Sequence, residues 1–107
     1  MEARKPPYFA VIFTSTLKPG QAGYQAMAKK MESMVSLQKG FLDFDSARGE
    51  DGPGITVSYW ESREAIRSWR EVAEHRRAQE QGRSTWYSLY NIKIAEVLED
   101  RGLGSDS

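Results

Sequence analysis

Residues Tyr8 to Leu17, YFAVIFTSTL, are apolar at both parities of an extended chain. Phe9, Val11 and Phe13 fall on one face of such a strand, and Tyr8, Ala10 and Ile12 on the other. Side chains alternate along a strand with a period of two, so a strand with this pattern needs cover above and below. The last apolar segment, TWYSLYNIKIAEVLE from Thr85 to Glu99, repeats it. There Tyr87, Leu89, Ala95 and Val97 share one face, and Trp86, Tyr90, Ile92 and Ile94 the other. Any fold for this chain has to bury both sides of at least two strands.

What lies between them decides how. Ala22, Met27, Met31, Met34 and Val35 recur at helical spacing, which predicts a helix over Gln21 to Leu37, stopped at Lys39–Gly40. FLDFDSAR alternates as a half-exposed strand, GEDGPG (Gly49 to Gly54) is a hairpin turn, and ITVSYW is a third strand. Ser62 is an N-cap candidate, with Glu64 in the first turn of the helix that follows. That helix buries a stripe of Ala65, Ile66, Trp69, Val72 and Ala73, and Gly82 ends it. The closing DRGLGSDS reads as a disordered tail.

The order β-α-β-β-α-β with right-handed crossovers predicts an α+β, ferredoxin-like fold: a four-stranded antiparallel sheet with both helices on one face. One domain spans 1–107, with an ordered core over about 7–99 and the tail at 100–107. Two helices cover one face only, and a chain of this length has no further layer for the other. The expected solution is a homodimer packed sheet against sheet about a two-fold axis. The alternative is that the surplus apolar residues are scattered on the surface.

Fifteen basic and fifteen acidic residues cancel, and the richest basic stretch, Arg63 to Arg83, is interleaved with Glu64, Glu71, Glu74 and Glu80. That is a solvated helix face, so no nucleic-acid partner is expected. The absence of cysteine removes thiolate nucleophiles and thiolate metal sites. One histidine, His75, cannot form a two-histidine metal site within a chain, and no metal is expected. MEARKPPYF has no run long enough for a signal peptide, and no segment approaches a membrane span, so a cytoplasmic protein without membrane contact is expected.

The stretch GFLDFDSARGEDGPGITVSYWESREAIRSWREVAEHRRAQEQGRSTWYSLYNIKIAEV resembles the antibiotic biosynthesis monooxygenase (ABM) domain of the dimeric α+β barrel superfamily. GFL at the second strand, the YWES and EAI segments ending at Trp69, and the aromatic-rich final strand carry the likeness. The resemblance implies a homodimer whose sheets close a barrel, with one pocket per subunit between the sheet and its own helices. It also implies a second helix that is broken, which near Val72 would rotate His75 relative to Trp69. Members of that family include cofactor-independent oxygenases that turn phenols into quinones, haem-degrading enzymes and non-catalytic ligand binders, and shared fold does not choose among them. The haem-degrading branch implies an asparagine where this chain has Phe13, a tryptophan that Trp69 matches, and a histidine near Gln79, one turn beyond His75.

For the quinone-forming branch no cofactor is needed. A deprotonated, electron-rich phenol can pass an electron to oxygen directly, and the protein must bind a flat apolar ligand, take a proton and exclude water. Phe13, Trp60 and Trp69 are the candidate substrate-binding walls. His75 is the candidate catalytic proton acceptor, since histidine alone exchanges protons near neutrality without a large shift, and Tyr90 is the candidate hydrogen-bond donor. Each residue also has a plainer reading. Trp69 lies on the buried stripe, Trp60 can lid the sheet edge, His75 projects opposite Ile66, Tyr87 and Tyr90 can be dimer-face aromatics, and Arg48 can pair with an anionic ligand or face solvent. GEDGPG lacks the lysine and following helix of a phosphate cradle, and one histidine without a placed acid makes no triad.

Overall fold

The apolar segment Tyr8–Leu17 forms strand β1 and sits inside the sheet, paired antiparallel on both sides. The computed structural model describes residues 5–20, 23–81 and 87–103; side chains of 75–81 fall outside the described residues. Helix α1 (Tyr24–Ser36) follows β1, then strands β2 (Phe41–Arg48) and β3 (Pro53–Trp60), helix α2 (Arg63–Gln81) and strand β4 (Tyr87–Val97). The sheet order is β2-β3-β1-β4, the ferredoxin-like arrangement that the element order predicts.

Helix α1 starts three residues later than its periodicity suggests. Gly23 is its N-cap at φ 90°, a backbone conformation that costs glycine little, and it supplies no capping side chain. Ser62 is the cap expected for α2: the Ala65 backbone N–H donates to its Oγ at 3.1 Å. The expected stop, Gly82, lies outside the described residues. Gly40 joins the layers. Its φ is +86°, its carbonyl accepts from the Glu61 N–H at 2.8 Å, and a β-carbon there would lie 2.6 Å from that of Ala65. Only a residue without a side chain lets the start of α2 come this close to the start of β2.

Cross-strand pairing sorts the side chains into two faces. Phe9 opposite Trp60, Val11 opposite Ser58, and Phe44 lie on the helix side. Trp60, Val35 and Ile66 form the core, with Phe9, Val11, Phe41, Phe44, Ala65 and Trp69 packed against it. Ala73, one turn beyond Trp69, is buried, whereas Val72 is exposed and drops out of the stripe. The stripe is therefore narrower than its sequence suggests. The opposite face carries Tyr8, Ala10, Ile12, Ile55, Val57 and Tyr59; Tyr8 and Ala10 are buried there, and among the described residues no helix lies over it.

Two findings depart from the strand pattern. Thr16 pairs with Leu89 and Leu17 with Tyr87, so β4 skips Ser88 and carries a bulge there. The bulge moves Tyr87 from the face of Leu89 to the helix side, where its ring meets Phe13, Tyr24 and Tyr90. Towards the C-terminus, described residues extend past Val97 to Leu103, and the Tyr8 hydroxyl donates to Asp100, pinning the first tail residues to β1. Residues 104–107 lie outside the described residues.

Candidate functional site

The five side chains singled out in the sequence do not form one group. Trp60 and Phe9 face each other across strands, and so do Phe13 and Thr56 four residues further along β1. At about 3.4 Å per residue, this separates the Trp60 and Phe13 levels by roughly 14 Å. Trp60 stacks on Trp69 at 6.4 Å with planes 24° apart, and meets Phe41 edge-on at 5.4 Å. Trp60 has no exposed surface, and its indole N–H is taken by Ser58 Oγ at 2.9 Å. In this structure Trp60 is core, with neither a free donor nor an open face for a ligand. Trp69 packs against the same core from α2 and stays partly exposed.

Phe13 and Tyr90 do come together, 5.8 Å apart between ring centroids. Tyr87, delivered by the bulge, meets Phe13 at 5.3 Å and Tyr90 at 6.3 Å. Tyr24, at the start of α1, meets Tyr87 edge-on at 6.1 Å. These four rings form an aromatic platform at the end of the sheet opposite Trp60. Beyond it Tyr90, Ile92 and Ile94 continue along the helix side of β4 and remain 45–60% exposed, because the two helices lie over the other strands.

Arg48 completes this end, and the sequence pattern offered no means of placing it. It closes β2 opposite Gly54, and its guanidinium lies 5.4 Å from the Tyr24 ring centroid and 5.8 Å from that of Tyr87. Its Nη2 donates to the buried Ser15 Oγ at 2.6 Å, and its Nη1 donates to the carbonyls of Gly52 and Ser15. Arg48 is thus held across the sheet, not turned to solvent. The one advance signal was a glycine in the strand facing it.

His75 lies in α2, and its side chain falls outside the described residues. The backbone nevertheless bears on its placement: α2 runs without a break from Arg63 to Gln81, contrary to the broken helix that the resemblance implies. Nine positions at 100° each put residue 75 on the opposite side of the helix axis from Ile66. A separate cleft of about 260 Å³, lined by Lys5, Pro7, Tyr8, Leu42 and Glu61, sits at the Trp60 end of the sheet. It falls just below the roughly 300–1,000 Å³ usual for small-molecule sites.

A four-stranded antiparallel sheet in the order β2-β3-β1-β4 with its two helices defines an α+β domain of ferredoxin-like fold. Over residues 8–81 the chain matches the model of the family described as antibiotic biosynthesis monooxygenase, and it belongs to that family. It is 47% identical over 97 residues to the uncharacterized protein YqjZ of Bacillus subtilis (strain 168), covering 91% of this chain and 85% of that one. It is 29% identical over 92 residues to the jasmonate monooxygenase ABM of Pyricularia oryzae, covering 83% of this chain but only 43% of that protein. Among solved structures, Rv0793 from Mycobacterium tuberculosis superposes with a TM-score of 0.72 at 15% identity, covering 89% of this chain and 99% of that one. Among the described residues, no helix is long and apolar enough to cross a membrane.

Proposed function

We propose that the chain is a cofactor-independent monooxygenase acting on a small aromatic hydroxy compound. The observation behind this reading is the platform of Phe13, Tyr24, Tyr87 and Tyr90, in which Phe13, Tyr87 and Tyr90 lie 5.3–6.3 Å from one another, Tyr24 lies 6.1 Å from Tyr87, and Tyr90 is still 60% exposed. Flat aromatic surface of this kind suits a flat aromatic ligand. Membership of a family named for monooxygenases, and a relative named as one, support oxygen chemistry. In the reaction, a phenol and O₂ give a quinone and water: one oxygen atom stays on the ring carbon, and the other leaves as water with the two displaced hydrogens. The phenol loses its proton first, so that the electron-rich phenolate can reduce oxygen. His75 is the proton acceptor in this reading, and Tyr90 offers its hydroxyl to the ring oxygen.

The second reading is a non-catalytic binder of the same aromatic ligand. The unbroken α2 favours it, because residue 75 then stands on the opposite side of the helix from Ile66. Oxygen uptake with a panel of hydroquinones and naphthols separates the two. The oxygenase reading expects saturable uptake that drops by about two orders of magnitude in His75→Ala, as for loss of a general base, with ligand binding retained. Binding without uptake in wild type leaves the binder. A haem-degrading role gains no support from the strand position, where Phe13 packs on Tyr87 and Tyr90 and offers no hydrogen bond. A haemin titration without a saturable absorption change removes it.

In either reading the protein acts as a homodimer. On the face bearing Ala10, Ile12, Ile55, Val57 and Tyr59, Ala10 is buried but Ile12, Ile55, Val57 and Tyr59 keep exposed surface with no helix over them among the described residues, and a second sheet would cover them.

A further inference from the structure

We infer that the ligand of this platform is a flat aromatic acid whose carboxylate is held by Arg48. The inference rests on the platform being the ligand site, as in the reading above, but not on any turnover there. Four observations lead to it. Arg48 is half-buried, and among the described residues all its partners are neutral: Ser15 Oγ, two carbonyls and two tyrosine rings. Glu50 and Asp51 of the adjoining turn make no ion pair with it. A guanidinium partly removed from water and left without a counter-ion strongly favours an incoming anion.

The second observation is which hydrogens are used. Nη1 serves the Gly52 and Ser15 carbonyls, and Nη2 spends one hydrogen on Ser15 Oγ. The Nε–H and one Nη2–H remain without an acceptor among the described residues. Because Ser15 takes both Nη1 and Nη2, the used Nη2 hydrogen is assigned to the Nη1 side and the free one to the edge shared with Nε. That edge is the fork that grips a carboxylate through two parallel hydrogen bonds. Third, the position is built. A β-carbon on Gly54 would lie 2.5 Å from Arg48 Cζ and 2.8 Å from Nε, so the glycine opposite keeps open the space in which the guanidinium lies. Its φ is not in the left-handed region, so the requirement there is room, not conformation.

Last, the charge sits against the apolar surface. The guanidinium carbon and the Tyr24 and Tyr87 centroids make a triangle of 5.4, 5.8 and 6.1 Å, and Phe13 and Tyr90 adjoin Tyr87. A ring lying over Phe13 and Tyr90 would bring a carboxylate one ring-width away to Arg48. Neutral phenols meet only half of this surface.

Naphthalene-2-carboxylate and its uncharged carboxamide, titrated anaerobically against the full-length protein, test the idea. Wild type should prefer the carboxylate by roughly tenfold or more, as a charge-assisted bidentate contact requires. In Arg48→Met the carboxylate should fall to the affinity of the amide while the amide is unchanged, and Arg48→Lys should restore part of the preference. Equal affinities in wild type, no saturable carboxylate binding, or a preference that survives Arg48→Met would each overturn the inference. Should Arg48→Met not fold, the Arg48 Nε–H resonance of wild type serves instead: it must shift with the carboxylate and not with the amide, and an unmoved signal on carboxylate binding overturns the claim. Failure of oxygen uptake with the carboxylate preference intact counts against the oxygenase reading alone.

Discussion

Replacing Trp60 distinguishes a packing role from a ligand wall, because the two roles predict opposite pairs of numbers. Trp60 has no exposed surface and touches Phe41, Trp69, Val35 and Ile66 or their neighbours in the core. Truncating a fully buried tryptophan to alanine costs about 3–5 kcal/mol, a large share of the roughly 5–15 kcal/mol that holds a domain of this size together. Trp60→Phe is the more informative variant. It keeps a ring against Phe41 and Trp69, gives up the second ring, and deprives Ser58 Oγ of its donor at 2.9 Å. A lost hydrogen bond at about 1 kcal/mol and a partial loss of burial give an expected cost of about 2 kcal/mol. For a domain near 100 residues that lowers Tm by roughly 8–16 °C. Urea and thermal unfolding followed by far-ultraviolet circular dichroism measure the cost without relying on tryptophan emission. Affinity for an aromatic probe, measured below the transition, should stay within about twofold of wild type, since the platform lies roughly 14 Å along β1. A variant of unchanged stability with weakened probe binding would refute the placement of Trp60 in the core.

Gly40→Ala should cost more than its size suggests, about 2–4 kcal/mol. It pays for a positive φ and for a β-carbon 2.6 Å from that of Ala65; Gly20→Ala shares the positive φ, at 67°, but meets nothing within 4 Å, so chemical denaturation of the pair isolates the clash. Ile12→Asp should dissociate the proposed homodimer while sparing the fold, because Ile12 lies on the face away from the helices opposite Lys93, which can pair with the new carboxylate in a lone subunit. Sedimentation velocity should show a mass near 12.2 kDa for the variant and twice that for wild type, and a wild type that remains a folded single subunit at nanomolar concentration removes the dimer.

How much was legible beforehand depends on the range over which each feature is decided. Element order, the two-faced character of β1 and the Ser62 cap were readable, because each depends on a few neighbouring residues and on a period of two or 3.6. The site was readable only in part. Phe13 and Tyr90 were singled out and do meet, but Tyr87 was assigned to the wrong face, since a strict alternation cannot anticipate the residue that β4 skips at Ser88. Trp60 suited a ligand wall and a packing lid equally, Trp69 lay on the buried stripe yet was also offered as a wall, and neither aromatic character nor periodicity measures depth. Arg48 was left between solvent and an anion, because its partners lie 33 residues upstream at Ser15 and across the sheet at Tyr24 and Tyr87.

The amino-acid order alone settles that this chain makes a four-stranded sheet with helices to one side and apolar residues on the other, since local periodicity and chain length leave little else. Which aromatic rings become core and which form a platform, and that an arginine lies across the latter, emerge only on folding. Those outcomes hang on register, on one bulge and on two glycines where layers meet, and contacts between residues distant in sequence decide all of them.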